Sequence, residues 1–376
     1  MSTYAGTSAE SSSRSPESRG GTGTPPSFPS TLRFGLVAFV VWRTTHALTV
    51  WALGGPFFRF AWDGDWYVRI LDHGYNHPGV GSEKATAFMP LLPWLTRAVQ
   101  VAVRSRVAAA VIVTSLAALA AVILVYRLVS IWRDERTARW VVVLFLAFPA
   151  STFLWQFYTE GLFIALAAGA LLAQERRRPG LAVALAALAT MTRVPGVVVA
   201  AALVAGELQR SRRLNRTCIL YAAGVLGFVP VYIAQLLQAG DGLGFLTAGR
   251  PWGRHLSLPW TPVVTALRSL RHGSTVYGSP LDLAILLGFL VVVAMAFRRP
   301  WPWSARALLV GMVVVPLCSG VATSMARYML AAWPAFAVIA DRGDEAGSLV
   351  RPAVLLALAV ATVPVLDSWS RGSFVG

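Results

Sequence analysis

Residues 61–95 read AWDGDWYVRILDHGYNHPGVGSEKATAFMPLLPWL. They fall between the first long apolar stretch, about Leu32–Leu53, and the second, about Val107–Trp132. Asp63, Asp65, Asp72, His73 and His77 stand there among Trp62, Trp66, Tyr67 and Tyr75. An acid just outside a membrane span can take a proton, while aromatic side chains hold a site at headgroup depth. This segment therefore marks a candidate active site at a membrane surface.

Working outward, 56% of the 376 residues are hydrophobic and only 13% charged, and mean hydropathy is +0.60. A soluble protein carries about twice that charged fraction. Several apolar runs reach the ~20 residues that cross a bilayer. The fold class is therefore an all-α polytopic membrane protein.

The net charge of +16 does not point to nucleic acid, because the 33 basic residues, of which only Lys84 is a lysine, do not gather on one surface. The arginine and alanine bias fits a GC-rich bacterial genome, and a bacterial plasma membrane is the expected location. Cys218 and Cys318 lie in expected spans without a CxxC pair, so a disulfide scaffold or zinc site is not expected.

Residues 1–30, rich in Ser, Gly, Thr and Pro, are expected to be a disordered cytoplasmic tail, and 31–370 a single transmembrane domain. Within it, 54–106 is the first outer loop and 239–279 the second. Expected spans are 32–53, 107–132, 139–155, 159–174, 180–192, 195–209, 217–238, 280–298, 303–319, 328–341 and 350–367. Trp66–His73 is expected to form a short interfacial helix, and Phe88–Val103 to dip into the membrane without crossing.

Arginine clusters alternate with small polar interruptions along these runs. The clusters are Arg133/Arg136/Arg139, Arg176/Arg177/Arg178, Arg210/Arg212/Arg213/Arg216, Arg298/Arg299/Arg306 and Arg342/Arg351. If they face the cytoplasm, so does the N-terminus, and the first loop and every interruption share the outer side.

Asp63 lies inside the aromatic cluster and can act as a general base toward a sugar hydroxyl. Asp65 reads equally as a helix cap. An Asp-x-Asp pair with His73 also suits a metal, but i, i+2 spacing splits the two acids between helix faces, and no metal is expected. In FYTEGLF (157–163), Glu160 either lines the site or caps a helix. Arg193 in TMTRVPG and Arg327 in SMARYML stand opposite the arginine clusters, where a guanidinium fork suits phosphate or snorkels to headgroups; Arg327 at a span edge needs an anionic partner, either a protein acid such as Asp63 or Glu160, or a phosphate. Tyr328 flanks Arg327. In WGRHLSLPW (252–260), Arg254 and His255 sit in an aromatic loop that anchors at the interface or covers a saccharide. No P-loop, GxSxG or HExxH is present, so any group donor is expected to arrive as a lipid.

AWDGDWYVRILDHGY followed by AFMPLLPWL resembles the signature of the PIG-V family, the second mannosyltransferase of glycosylphosphatidylinositol synthesis, and its bacterial relatives. YTEGLF, TRVPG and RYMLAAWPAF follow in the family's order, so the resemblance covers about residues 34–340. It implies a GT-C-type bundle, here of about eleven transmembrane helices, with short amphipathic helices in the first outer loop. It also implies a polyprenyl- or dolichyl-phosphate mannose donor, a non-cytoplasmic active site and inverting transfer, with Asp63 at the position of the catalytic carboxylate. The longer lumenal insertions of eukaryotic members are missing.

The expected function is a membrane mannosyl- or hexosyltransferase. It would use a polyprenyl-phosphate sugar as lipid donor, need no cofactor, and act on a hydroxyl of a glycolipid, glycan or protein. Part of the donor chain is expected in a groove between the spans and the apolar 88–103 segment. The alternative is a polytopic transporter or lipid flippase, which predicts repeated halves; no internal repeat is present.

Overall fold

A computed structural model of the protein describes residues 27–76, 82–342 and 349–373. Most of the expected tail, together with His77, lies outside the described residues. Among the described residues the chain is helical throughout, without a strand. In chain order the α-helices are α1 (Phe28–Ala52), α2 (Asp63–His73), α3 (Leu91–Val103), α4 (Arg106–Trp132), α5 (Glu135–Ala147) and α6 (Glu160–Glu175). Then come α7 (Pro179–Thr190), α8 (Val197–Ser211), α9 (Arg216–Ala222), α10 (Phe228–Ala239), α11 (Gly244–Thr247) and α12 (Thr261–Arg271). The last are α13 (Pro280–Phe297), α14 (Trp303–Leu317), α15 (Met325–Ala331), α16 (Pro334–Arg342) and α17 (Val350–Ser370).

Each expected span falls on a helix or a broken pair of helices. By length and composition, five are able to cross a membrane: α1, α4, α13, α17 and the Arg216–Ala239 segment that joins α9 to α10. The breaks have local causes. α5 stops at Ala147, short of the expected 155, because Pro149 forces Phe148 into extended backbone and a 3-10 turn, Pro149–Leu154, follows. The expected 328–341 span is split at Pro334 into α15 and α16. α1 starts at Phe28, where the Ser27 side chain accepts from the Ser30 amide, so the span begins earlier than expected.

α4 forms the centre. Ala117, Ala118 and Ala121 on α4 are buried, and a Cβ on Gly161 would come within 3.3 Å of the Ala118 amide. Small residues on both helices let their backbones approach, the usual means of packing where no hydrophobic effect separates helix from lipid.

Polar groups separate to the two ends of this bundle. At one end Arg133 and Arg299 reach Asp341 at 3.7 and 3.3 Å, and Arg210 reaches Glu175 at 2.7 Å. At the other end lie α2, the 149–159 turn, the α7–α8 connection and the N-terminus of α15. The expected interfacial helix is present as α2, but it begins at Asp63 and not at Trp66. In the expected dipping segment only α3 is α-helical.

Candidate active site

Asp63 is the first residue of α2, and the residue before it, Trp62, has φ 59° and ψ −116°. Ser324, which precedes α15, is also left-handed at φ 69°. Non-glycine residues in this region carry strain of order 1–3 kcal/mol, and such strain collects at functional sites. Here the two strained residues start the two helices whose side chains meet. Arg327, one turn into α15, places Nη1 2.8 Å from Asp63 Oδ2.

The same guanidinium reaches Glu160. Arg327 Nε and Nη2 lie 3.0 and 2.9 Å from Glu160 Oε1. Arg193 donates to that oxygen as well, from Nη1 at 3.0 Å. Glu160 is fully buried at the start of α6, where the helix dipole favours an anion, and its Oε2 is buried without a partner. Two carboxylates and two guanidinium groups therefore balance in charge. Arg327 is 6% exposed, whereas the Asp63 side chain is 30% exposed. Asp63 is thus the acid of this cluster that solvent or a substrate can reach.

Each group is held by its surroundings. The Arg327 guanidinium packs 4.6 Å from the Tyr158 ring centroid and 4.9 Å from that of Phe153. The Tyr158 hydroxyl donates to the Ala61 carbonyl at 3.1 Å, which ties the entry to α2 against the 149–159 turn. Burial, then Asp63, push the Tyr158 and Tyr67 hydroxyls up, so both remain protonated. Asp282 closes a capping box with Ser279 at the head of α13, and its Oδ1 accepts from the Met325 amide at 2.9 Å, fixing the start of α15. Arg193 leaves α7 just before a tight turn. A Cβ on Gly196 would sit 2.3 Å from Thr190 Cα, so only glycine fits there.

Tyr328 connects the 239–279 segment to this cluster. Arg193 and Arg254 lie 5.3 and 5.0 Å from its ring centroid, and Arg254 donates to the Thr323 carbonyl at 3.0 Å. Trp66 stacks on Phe88 at 5.8 Å and meets Trp252 edge-on at 6.1 Å, so aromatic rings from the 54–106 and 239–279 segments cover the region beside α2.

Four sequence motifs thus bring Asp63, Glu160, Arg193 and Arg327 together. Three other candidates stand apart. His73 closes α2 ten residues from Asp63, roughly 15 Å away at 1.5 Å per residue. His255 is exposed on the second loop, where Nδ1 lies 2.9 Å from the Gly253 carbonyl. Asp65 is exposed in the first turn of α2; burial of its carboxyl, against Arg69 and the Trp62 amide, pushes its pKa up. Among the described residues no three His, Cys, Asp or Glu side chains gather in a way that would hold a metal. Tyr158, Phe153 and Asp282 were not singled out from the sequence. Only Asp282 left a trace there, in the Ser-Pro-x-Asp capping pattern at 279–282.

An apolar groove of about 580 Å³ runs between α3, α4, α6 and α7. It lies beside Leu95 and Val99, where a groove was expected. On α6, however, Leu162, Leu166 and Gly169 face it, about 180° around the helix from Glu160 at 3.6 residues per turn.

This bundle, with its short helices α2 and α3 beside the site, has the fold of the GT-C membrane glycosyltransferases. The apo oligosaccharyltransferase of Archaeoglobus fulgidus aligns at TM-score 0.54 and 15% identity, over 92% of this chain and 56% of that one. The oligosaccharyltransferase AglB of the same organism, in complex with an inhibitory peptide and a dolichol-phosphate, aligns at 0.55 and 15%, over 92% and 56%. ArnT from Cupriavidus metallidurans, bound to undecaprenyl phosphate, aligns at 0.55 and 15%, over 91% and 65%. The chain thus spans between about half and two thirds of these proteins' lengths, and at such identity the likeness is one of fold. Residues 53–223 match the family model Mannosyltransferase (PIG-V), which bears out the resemblance read from the motifs. That match takes in Asp63, Glu160 and Arg193, while Arg327 lies beyond it. No curated protein matches the chain.

Proposed function

We propose that this chain is an integral-membrane mannosyl- or hexosyltransferase. It moves a sugar from a polyprenyl-phosphate carrier to a hydroxyl of a glycolipid, glycan or protein, with inversion, on the membrane face opposite the arginine clusters. The observation that carries the proposal is the 2.8 Å pair between Arg327 and the partly exposed Asp63, backed by buried Glu160 and Arg193.

In this reading Asp63 accepts the proton of the acceptor hydroxyl. The hydroxyl oxygen forms a bond to the anomeric carbon as the bond from that carbon to the phosphate oxygen breaks, and the electron pair leaves on phosphate. Guanidinium groups already aimed at a carboxylate are placed to stabilise that developing charge. Donor phosphate competes with Asp63 for Arg327 Nη1, and Glu160 keeps the guanidinium in place while it is shared. Arg193 and Arg254, on either side of Tyr328, add positive charge at the same end. The undecaprenyl phosphate and dolichol-phosphate held by two GT-C-fold proteins support a lipid-linked donor here.

The test is transfer itself. Purified protein is incubated with polyprenyl-phosphate mannose and a membrane lipid extract, beside the Asp63→Asn variant. Labelled product from the wild type and none from the variant is the expected result. No transfer to any lipid, glycan or protein in the extract, from a folded protein, would overturn the proposal.

A further inference from the structure

The groove between α3, α4, α6 and α7 is a second feature, independent of the carboxylate–arginine cluster. It extends from Leu95 and Leu162 at the site end to Arg176 and Arg178 at the other, with Gly169 midway. Its length along α6 is roughly 21 Å at 1.5 Å per residue. Its lining is apolar side chain except at the last-named end.

Charge is concentrated at that one mouth. Arg176 and Arg178 are exposed, and neither pairs with a carboxylate among the described residues. Arg127 of α4 is near enough to Arg176 for their charges to repel. Glu175, the acid next to Arg176 in sequence, is occupied: its Oε2 takes Arg210 at 2.7 Å and its Oε1 accepts from Trp132 Nε1 at 3.0 Å. Two exposed arginines without a carboxylate partner among the described residues, at the end of a hydrocarbon-lined slot, fit a lipid with an anionic headgroup.

Position discriminates between lipids. The roughly 21 Å length along α6 suits one acyl chain of a phospholipid. α6 stands between this groove and Glu160, and the arginines lie at the end away from the Asp63 cluster, so a lipid phosphate held by them is remote from that cluster.

We infer that this groove is a binding site for an anionic phospholipid of the leaflet on the arginine-cluster side, with its phosphate on Arg176 and Arg178 and one acyl chain between the α3–α4 and α6–α7 hairpins. The lipid wedges α3, which packs under α2, against the core of the bundle.

The experiment reconstitutes the full chain into nanodiscs of phosphatidylcholine with minor, equal amounts of phosphatidylglycerol and undecaprenyl phosphate, and reads retained lipid by native mass spectrometry. Phosphatidylglycerol should be retained over phosphatidylcholine by roughly tenfold or more. Arg176→Ala with Arg178→Ala, both at exposed positions, should remove the preference. Gly169→Leu, whose Cβ would come within 3.2 Å only of the mobile end of Leu185, should fill the slot and reduce retention. Equal retention of the two phospholipids by the wild type would overturn the inference without need of any variant. So would retained undecaprenyl phosphate that Gly169→Leu displaces and the arginine variants do not. Neither result bears on transferase activity, which is assayed separately.

Discussion

Arg327 and Asp63, far apart in sequence, meet with Nη1 2.8 Å from Oδ2. Partial exposure leaves a face of the Asp63 carboxylate open, while Arg327 remains anchored on the other side by Glu160. The acid is therefore aimed by a group that does not depend on it.

From this arrangement, Asp63→Asn should leave the fold intact and lower transfer by roughly 10²–10⁴-fold. The amide keeps an acceptor oxygen for Arg327 but cannot take the proton. Turnover and melting temperature measured together check this. Asp65→Asn, at an exposed position outside the cluster, is the control and should change turnover only modestly. Near-normal turnover in Asp63→Asn would remove Asp63 from the chemistry.

Glu160→Gln should behave differently. Glu160 is fully buried and Oε1 receives both Arg193 and Arg327. Removing its charge leaves two guanidinium groups with only Asp63 to balance them, and breaking such a buried pairing costs about 3–5 kcal/mol. The expected outcome is a marked drop in melting temperature with loss of activity. A variant as stable as wild type would mean that Glu160 does not hold the two arginines.

Much of this site was legible from the sequence because membrane burial makes polar residues conspicuous. Asp63, Glu160, Arg193 and Arg327 each interrupt apolar sequence on one side of the alternating pattern, and that pattern placed them at one end of the bundle. For Arg327 the sequence left a protein acid, Asp63 or Glu160, and a phosphate as alternative partners; the structure puts both acids on it. That it holds the two at once, and that Arg193 shares Glu160, was not legible, since it depends on how α2, α6 and α15 pack. His73 was weighed as a metal partner of the Asp-x-Asp pair, yet the helix expected from Trp66 begins at Asp63 and puts His73 at its far end. The spans were readable from hydropathy, but the breaks at Phe148–Pro149 and Ala332–Pro334 follow from local backbone sterics.

For topology, a cysteine at Leu256 should react with an impermeant thiol reagent on intact cells, in a background lacking Cys218 and Cys318. Leu256 is 92% exposed in the 239–279 segment, at the Asp63 end of the bundle. A cysteine at Gly180, where nothing lies within 4 Å of a Cβ and which adjoins the Arg176–Arg178 cluster, should react only after lysis. The reverse pattern would place the Asp63 cluster in the cytoplasm.

Arg327→Lys against Arg327→Ala separates charge from geometry. Arg327 spends three N–H groups on two acids, Nη1 on Asp63 and Nε with Nη2 on Glu160, between the rings of Phe153 and Tyr158. Lysine keeps the positive charge but cannot present this planar fork, so it restores balance without fixing both carboxylates. Arg327→Ala leaves Glu160 with Arg193 alone and should lower the melting temperature and expression, in the range of about 3–5 kcal/mol for a broken buried pair. Arg327→Lys should recover most of that stability and little of the turnover, because Asp63 then lacks its fixed partner and the leaving phosphate lacks the fork. Donor KM, kcat and melting temperature, measured on both variants, check the separation. Full turnover in Arg327→Lys would show that a point charge suffices and that the fork has no part in transfer. Unchanged kinetics in a stable Arg327→Ala protein would remove Arg327 from the site altogether.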